Sequence, residues 1–525
     1  MLDDAAPAEG RRTADSDGRT VALTPPAAPP GDRAALKRAS ATGLMVTFAS
    51  QFGRLGMQVA YQIAMARLLT PREFGLVAMA SPVIAFVTLF ADFGLTQATI
   101  QRRDISQAEL SFLFWSNCAL SWALSLATIA FAPVVGWFFS EPDVTSITMA
   151  LGALFLLSGI SAQPLALLNR RLAFGRLAIV NLASYALGAA SGLAAAYGGL
   201  EFWAIVVGQA TTSAATVAGS WLLAGWTPGR PRRVANARAI LGFGGNITAF
   251  NFVNYFARNL DNVLIGHFAG GAALGLYDRA YKLLLFPLTQ INGPFTSVAM
   301  PLLARIRDDP QLYRRAYLRM LETILLLTYP GVVFAIVWSH DLIVTVLGNR
   351  WAGVAPIFTV LGFGALLAPI GNSTGWLYIT QERTREMRNQ GTLSALWFSA
   401  SFVVGLPWGA LGVATSYIAA GMVQGPVVWW LVTRRGPVGL GHLLGALYPC
   451  AKGALVTAIV EIVVRRIASP GAGTLVLMFV AAHVIFFAVL AALPRGRQIL
   501  RGVAAQLPLM FANRAGRDGG GVPLS

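Results

Sequence analysis

The sequence predicts an all-α polytopic membrane protein of about fourteen transmembrane helices. The chain has 525 residues, a mean hydropathy of +0.60, 55% apolar residues and only 12% charged residues, about half the charge of a soluble globular chain. A transmembrane helix needs roughly 20 apolar residues, so the chain has room for a dozen or more. The basic residues also concentrate in alternate connections, as in multi-pass proteins. A soluble enzyme is therefore excluded.

The two ends of the chain are polar. Residues 1–40 mix acidic and basic side chains with alanine and a proline-rich run, which predicts a disordered cytoplasmic tail. No apolar stretch with a small-residue cleavage site precedes the first apolar segment, so we expect no secretory signal peptide. Residues 494–525, with five arginines and a glycine run, are interpreted as a second cytoplasmic tail.

Fourteen apolar segments lie between the tails, and the segment 391–406 is short and ends at Pro407. Their approximate bounds are 41–65, 74–97, 111–139, 145–168, 177–197, 202–225, 240–266, 273–302, 320–346, 354–379, 391–406, 411–433, 447–464 and 473–493.

The charge distribution predicts the orientation. Most of the 40 basic residues fall in the tails and in the connections after even-numbered segments, whereas the opposite connections carry only Arg67, Arg72, Arg350, Arg465 and Arg466. The positive-inside rule places the basic side, and both termini, in the cytoplasm. The formal net charge of +17 is then a topology signal beside anionic lipid, and we expect no nucleic-acid partner.

Catalytic and metal chemistry have little support in the sequence. Cys118 and Cys450 are isolated, and the four histidines are scattered, so we expect no metal site and no cofactor. The outward connections are mostly four to eleven residues long. A membrane-embedded glycan-processing enzyme would need a longer outward loop or a buried acid/base pair to hold its substrate, so we expect no enzyme.

Two polar stripes reveal an internal repeat. Steps of three, four and four residues place four polar side chains on one face of the first helix, and the seventh helix repeats these steps 200 residues later. The stripes are Gln51, Arg54, Gln58 and Gln62, and Asn251, Asn254, Arg258 and Asn262. Gly75 pairs with Gly275 in the same register, and Asp92 with Asn292. The repeat predicts two six-helix lobes, 41–225 and 240–433, with a cytoplasmic linker at 226–239 and two additional helices in 434–493.

The stripes have a structural and a functional interpretation. Glutamine and asparagine can simply hydrogen-bond neighbouring helices, and Arg258 can be neutralised by Asp261 on its own helix. A guanidinium in the bilayer interior, however, costs at least about 2.5–3.5 kcal/mol. We therefore expect Arg54 and Arg258 to line an aqueous cavity between the lobes.

The eighth segment adds Asp278, Arg279 and Lys282. Arg279 and Lys282 extend the cationic lining in the functional interpretation, whereas Asp278 and Lys282 neutralise each other as an i, i+4 pair in the structural one. Asp92 either caps its helix, pairs with a loop arginine or, with Asp261, takes part in coupling.

Several runs of sequence resemble a known family. These are ARLLTPREFGL at 66–76, FADFGL at 90–95 and, above all, NLDNVLIGHFAGGAALGLYDRAYKLLLFPLTQINGPFTSVAMPLLARIRDD at 259–309. They are similar to Wzx-type lipopolysaccharide and exopolysaccharide exporters, the polysaccharide branch of the multidrug/oligosaccharidyl-lipid/polysaccharide (MOP) superfamily. The resemblance covers about 41–435.

The resemblance implies a V-shaped pair of lobes around a cationic cavity lined by the first, second, seventh and eighth helices. It implies a flippase in the bacterial inner membrane that moves an undecaprenyl-pyrophosphate-linked oligosaccharide outward by alternating access. Arg54, Arg258 and Lys282 match the basic cavity residues of such proteins in position. Membrane lipids, a polysaccharide polymerase and a chain-length regulator are the implied partners. The alternative is a drug or small-solute antiporter of the same superfamily, which would favour carboxylates in the cavity.

Overall fold

A computed structural model of the chain describes residues 33–91, 96, 99–100, 105–230, 237–468 and 471–504. The side chains of residues 33–49, 91 and 237–258 are outside this description. In the described ranges the chain folds into helices joined by short connections, without strands.

The helices of the first half are α1 (Arg33–Leu68), α2 (Pro71–Ala91), α3 (Gln107–Phe139), α4 (Pro142–Arg170), α5 (Phe174–Tyr197) and α6 (Trp203–Ala224). The described connections from α3 to α6 are short. Ser106 caps α3 in a capping box with Glu109, which satisfies free amide groups at the helix start. Ser140 ends α3 in the left-handed region, and Pro142 starts α4 at a position where a missing N–H costs nothing.

The second half begins with the long helix α7 (Ala237–Arg305). Gly270 interrupts it with φ 80° and ψ 175°, a conformation open essentially to glycine alone, and we call the parts before and after Gly270 α7a and α7b. The helices that follow are α8 (Pro310–Val337), α9 (Ser339–Leu347), α10 (Val354–Thr380), α11 (Thr384–Gly405), α12 (Gly409–Thr433), α13 (Leu440–Arg465), α14 (Ala472–Ala492) and α15 (Pro494–Ala504).

The helices confirm the predicted class of an all-α polytopic membrane protein. Each of the fourteen predicted segments overlaps a helix. By length and composition, nine helical stretches of the described residues are apolar enough to cross a membrane. They are α2 to α5, α8, α10, the continuous stretch Thr384–Thr433, α13 and α14.

Three boundaries differ from the prediction. Helix α8 starts ten residues before the predicted 320, because Asp309 caps Gln311 and Leu312 and Pro310 occupies the first turn. Helix α1 already begins at Arg33, inside the stretch predicted to be a disordered tail. The second predicted tail starts with α15, which packs on α8 through a hydrogen bond from Arg319 to the carbonyl of Ile499.

The helices pack in neighbouring pairs along the chain and also across the two halves. In α1–α6 the neighbouring pairs α3 with α4 and α5 with α6 pack along their lengths, and α1 lies on α5. In α7–α12 helix α10 packs against α7 and α12. The main contact between the groups is that of α2 with α7. A shared apolar core joins both groups there and includes Met79, Leu151, Tyr277 and Trp351.

The α2–α7b contact is reciprocal at the predicted offset. A Cβ at Gly75 would overlap the carbonyl oxygen of Gly271, and a Cβ at Gly275 would overlap the carbonyl oxygen of Pro71. Adding 200 to the number of Gly75 and subtracting 200 from that of Gly271 gives Gly275 and Pro71, the residues of the second contact. Such reciprocity is expected where two halves meet at a two-fold axis, and only glycine lets the two backbones approach so closely.

Candidate functional site

The polar stripe of α1 forms one face of the helix, as its spacing predicts. Gln51 and Arg54 are exposed, and Gln58 and Gln62 are half-buried. The helix packs on α5 with Tyr61, whose ring meets that of Tyr185 edge to face at 6.2 Å. Arg54 lies near Tyr185, and the described part of the chain offers its guanidinium no hydrogen bond or ion pair. The exposed face of α1 thus carries an accessible guanidinium.

Arg279 of α7b meets this stripe. Its Nη1 donates a hydrogen bond to Oε1 of Gln62, across the boundary between the two groups of helices. The guanidinium lies over the ring of Phe74, 3.7 Å from the centroid, and the residue is 7% exposed. Among the described residues its Nε–H has no hydrogen-bond acceptor. Arg279 therefore contacts the α1 stripe but is largely covered in this conformation.

The other two charges of α7b pair with each other. Lys282 Nζ lies 2.8 Å from Oδ1 of Asp278, with the lysine side chain 56% exposed and the aspartate side chain 9% exposed. This is the i, i+4 pair that the structural interpretation predicts. Lys282 nevertheless presents an accessible ammonium group on α7b, three residues after Arg279.

Asp261 has partners that the sequence did not indicate. Its Oδ2 accepts a hydrogen bond from the Tyr277 hydroxyl at 2.9 Å, and its Oδ1 accepts one from the backbone N–H of Asn262 at 2.9 Å. The carboxylate is 7% exposed. Tyr277 was missed because it lies 16 residues away, beyond the kink, where helical spacing gives no signal. The half-buried Asn262 belongs to the predicted second stripe.

Four predicted site residues are outside the description. Asp92 is not among the described residues, and neither are the side chains of Asn251, Asn254 and Arg258. The predicted partner role of Arg258 for Asp261 therefore remains a prediction, as does the coupling role of Asp92.

The two groups of helices close against each other at one end of the bundle. We call this the distal end; it carries the α1–α2, α3–α4 and α9–α10 connections. Arg67 donates hydrogen bonds to the carbonyls of Val346 at 3.0 Å and Thr345 at 2.6 Å. In the other direction, His267 Nδ1 lies 2.7 Å from the carbonyl of Phe138.

Two further contacts seal the distal end. Trp351 donates from Nε1 to the carbonyl of Ala66 at 2.6 Å, and its ring meets that of Phe74 at 5.4 Å. Because Phe74 also covers Arg279, the closed distal end forms the roof over the Arg279–Gln62 contact.

Comparisons with known proteins support the fold and the family. A family model described as polysaccharide biosynthesis protein matches residues 64–356. The lipopolysaccharide biosynthesis protein WzxC of Escherichia coli (strain K12) is 24% identical over 381 residues, which cover 70% of this chain and 76% of the relative.

Solved transporters share the fold. The inward closed conformation of the lipid II flippase MurJ superposes with a TM-score of 0.64 at 13% identity, over 86% of this chain and 99% of that one. An inward-facing multidrug resistance transporter of the MATE family, in the MOP superfamily, superposes with a TM-score of 0.58 at 14% identity. The superposition covers 73% of this chain and 97% of that one. The prediction of a transporter rather than an enzyme is confirmed. Because the family model matches more than half of the chain, this protein belongs to the polysaccharide biosynthesis protein family, as the resemblance of its motifs predicted.

Proposed function

We propose that this protein flips an undecaprenyl-pyrophosphate-linked oligosaccharide repeat unit across the bacterial cytoplasmic membrane by alternating access, in lipopolysaccharide or exopolysaccharide biosynthesis. The observation that carries the proposal is the accessible polar face of α1, with Arg54 at its centre and Gln62 joined to Arg279 of the other half.

The chemistry of this face fits such a substrate. A pyrophosphate-sugar headgroup cannot cross hydrocarbon unless protein donors replace its hydration. Guanidinium groups bind phosphate oxygens with paired, charge-assisted hydrogen bonds, and amides bind sugar hydroxyls. Arg54, Gln51, Gln58 and Lys282 are the accessible donors among the described residues. Arg258, Asn251 and Asn254 complete the site in the proposal, from the equivalent face of α7a.

The reciprocal glycine contact supports the proposed two-lobe architecture. In the proposal α1–α6 (41–225) and α7–α12 (240–433) rock about the axis near Gly75 and Gly275, with 226–239 as the linker and α13 and α14 as an appendage. The distal closure by Arg67, His267 and Trp351 represents one end state. Outward release requires these hydrogen bonds to break.

Orientation and partners belong to the same proposal. The positive-inside rule places both termini in the cytoplasm, so the distal end faces the periplasm. A polymerase and a chain-length regulator would receive the exported repeat units there, and the prenyl tail stays among membrane lipids.

A drug or small-solute antiporter is the second candidate, since the MATE transporter shares the fold. That likeness concerns the fold alone. The described carboxylates Asp261 and Asp278 are buried and already bonded to Tyr277 and Lys282, so they do not offer a free anionic surface to an organic cation. The family match and the accessible arginine favour the glycolipid.

Deletion of the gene tests the proposal. In spheroplasts with polymerisation blocked, flipped repeat units are open to oxidation by membrane-impermeant periodate. We expect wild-type cells to show oxidised repeat units and the deletion strain to accumulate protected ones, with loss of surface polymer. Equal oxidation in both strains, without a second exporter, would contradict the proposal.

A further inference from the structure

A cavity with a mostly apolar lining and a few polar side chains lies between helices of the second half of the bundle. Its volume is about 390 Å³, and it is lined by α7b, α10, α11 and α12. That volume is within the range of about 300–1,000 Å³ typical of small-ligand pockets. The lining of the cavity includes Tyr281, the residue directly before Lys282 on α7b.

Amides and a hydroxyl converge in this cavity. Gln424 of α12 donates from Nε2 to Oγ of Ser394 at 2.8 Å, and Gln390 of α11 donates to the same oxygen at 3.3 Å. Within the described chain the Oε1 atoms of both glutamines have no donor. Asn372 of α10 contributes a third, exposed amide. Among the described residues, the cavity thus offers a ligand the free Oε1 acceptors of Gln390 and Gln424 and the amide of Asn372.

Aliphatic side chains and several aromatic rings form its other walls. Phe398 and Tyr417 meet at a centroid distance of 5.0 Å, and Tyr281 stacks on Tyr277 at 6.3 Å. Trp429 also lines the cavity. Aromatic rings beside a few fixed polar groups are typical of sites that orient an uncharged ligand, and the C–H face of a pyranose ring packs on such rings while its hydroxyls bond to amides.

Charge distinguishes this cavity from the α1 stripe. None of the described residues that line it is aspartate, glutamate, lysine or arginine. An anion would find no countercharge here and would lose its hydration, whereas a neutral polyhydroxyl ligand would not need one.

We propose that this cavity binds neutral sugar residues of the lipid-linked glycan while the pyrophosphate stays at the cationic face, and that it contributes to the choice of glycan. The inference rests on the proposed function and adds the place where the sugars are recognised. The competing interpretation is that Gln390, Gln424 and Ser394 only join α11 to α12.

Two probes separate the sugar site from the pyrophosphate site. The first is the reducing oligosaccharide that mild acid releases from lipid-linked repeat units accumulated in a deletion strain. The second is undecaprenyl pyrophosphate, which has no sugar. Both are titrated against the full-length protein in detergent by calorimetry, and folding of each variant is checked by its melting temperature.

We expect the double variant Gln390→Leu and Gln424→Leu to bind the oligosaccharide at least tenfold more weakly, and undecaprenyl pyrophosphate within twofold of wild type. Asn389→Leu, the same chemical change at an exposed α11 position outside the cavity lining, should change neither. If the double variant does not fold, Ser394→Ala should weaken oligosaccharide binding about threefold, with Thr392→Val as its control.

Wild-type affinity of the folded variants for the oligosaccharide, or no binding of it by wild type, would overturn the sugar site. Failure of undecaprenyl pyrophosphate to bind wild type would instead contradict the proposed function. In that case a glutamine-dependent affinity for the oligosaccharide would still support the cavity as a sugar site.

Discussion

The guanidinium of Arg279 and the amide oxygen of Gln62 form a hydrogen bond between the two halves of the bundle, beneath the ring of Phe74. Arg279 is 7% exposed, and its Nε–H finds no acceptor within the described part of the chain. A buried guanidinium with only a neutral partner binds an anion more favourably than a hydrated one does. In the proposal, this contact therefore couples the closure of the distal end to a guanidinium that favours an anionic ligand.

Gln62→Glu should strengthen that contact at the expense of transport. The new carboxylate supplies a countercharge to Arg279, so we expect a higher melting temperature and export reduced at least tenfold. The matched control is Gln58→Glu, one turn away. A Gln62→Glu protein that exports normally, or a Gln58→Glu protein that is equally stabilised, would contradict the coupling.

The contact of α2 with α7b at Gly75 and Gly275 predicts similar effects of substitution at either glycine. Gly75→Ala and Gly275→Ala each place a Cβ on a backbone carbonyl of the other half, and overpacking of this kind costs about 1–3 kcal/mol. Both variants should therefore melt lower and accumulate less in the membrane, by similar amounts. Gly293→Ala and Gly371→Ala have open space around the added carbon and serve as controls. Unequal effects of the first pair would argue against a two-fold crossing.

Arg67→Ala should shift the conformational equilibrium towards an open distal end. The change removes two hydrogen bonds to the α9 carbonyls of the other half. Arg72→Ala is the control, because it removes the same charge at the same end but loses only a contact to Glu141 within the first half.

Spin labels at Asp143→Cys and Asn349→Cys, both exposed near this end, report the opening. The native Cys118 and Cys450 are buried, which keeps background labelling low. Arg67→Ala should raise the fraction of long distances severalfold, whereas Arg72→Ala should leave the distribution as in wild type. An unchanged distance distribution in Arg67→Ala would show that its hydrogen bonds do not hold the distal end closed.

The environment of Asp261 offers a test of Arg258. Asp261 already accepts hydrogen bonds from Tyr277 and the backbone of Asn262, so we expect Arg258→Ala to insert normally and fail to export. If Arg258 only neutralises Asp261, the single variant should lose abundance, and Arg258→Ala with Asp261→Ala should restore both abundance and export. Immunoblots of membranes and surface polymer, measured together, distinguish these outcomes.

The sequence predicts what depends on local periodicity. The α1 stripe lies on one face because helical spacing alone puts Gln51, Arg54, Gln58 and Gln62 there. The pairing of Gly75 with Gly275 in the repeat register was also visible, although not that their backbones touch.

Tertiary packing decides the features that the sequence did not show. The cover of Phe74 over Arg279 depends on how α2 crosses α7b, and the Tyr277–Asp261 bond spans the kink at Gly270. The early start of α8 was not predicted, because the charges of Arg314, Arg315 and Arg319 are typical of a cytoplasmic loop. In the structure Asp309 and Pro310 begin the helix before them.

The proposal that Arg54 binds the pyrophosphate headgroup during flipping is best tested by the leaflet position of the lipid-linked repeat unit in Arg54 variants. Periodate protection in spheroplasts is measured for wild type, Arg54→Ala and Arg54→Lys, with membrane abundance determined in parallel. Lysine keeps the charge but loses the paired donors that fit phosphate oxygens. We expect normal membrane abundance of all three proteins, full protection of the repeat unit in Arg54→Ala and partial oxidation in Arg54→Lys. Oxidation of the repeat unit to the wild-type extent in Arg54→Ala would contradict the proposed role of Arg54.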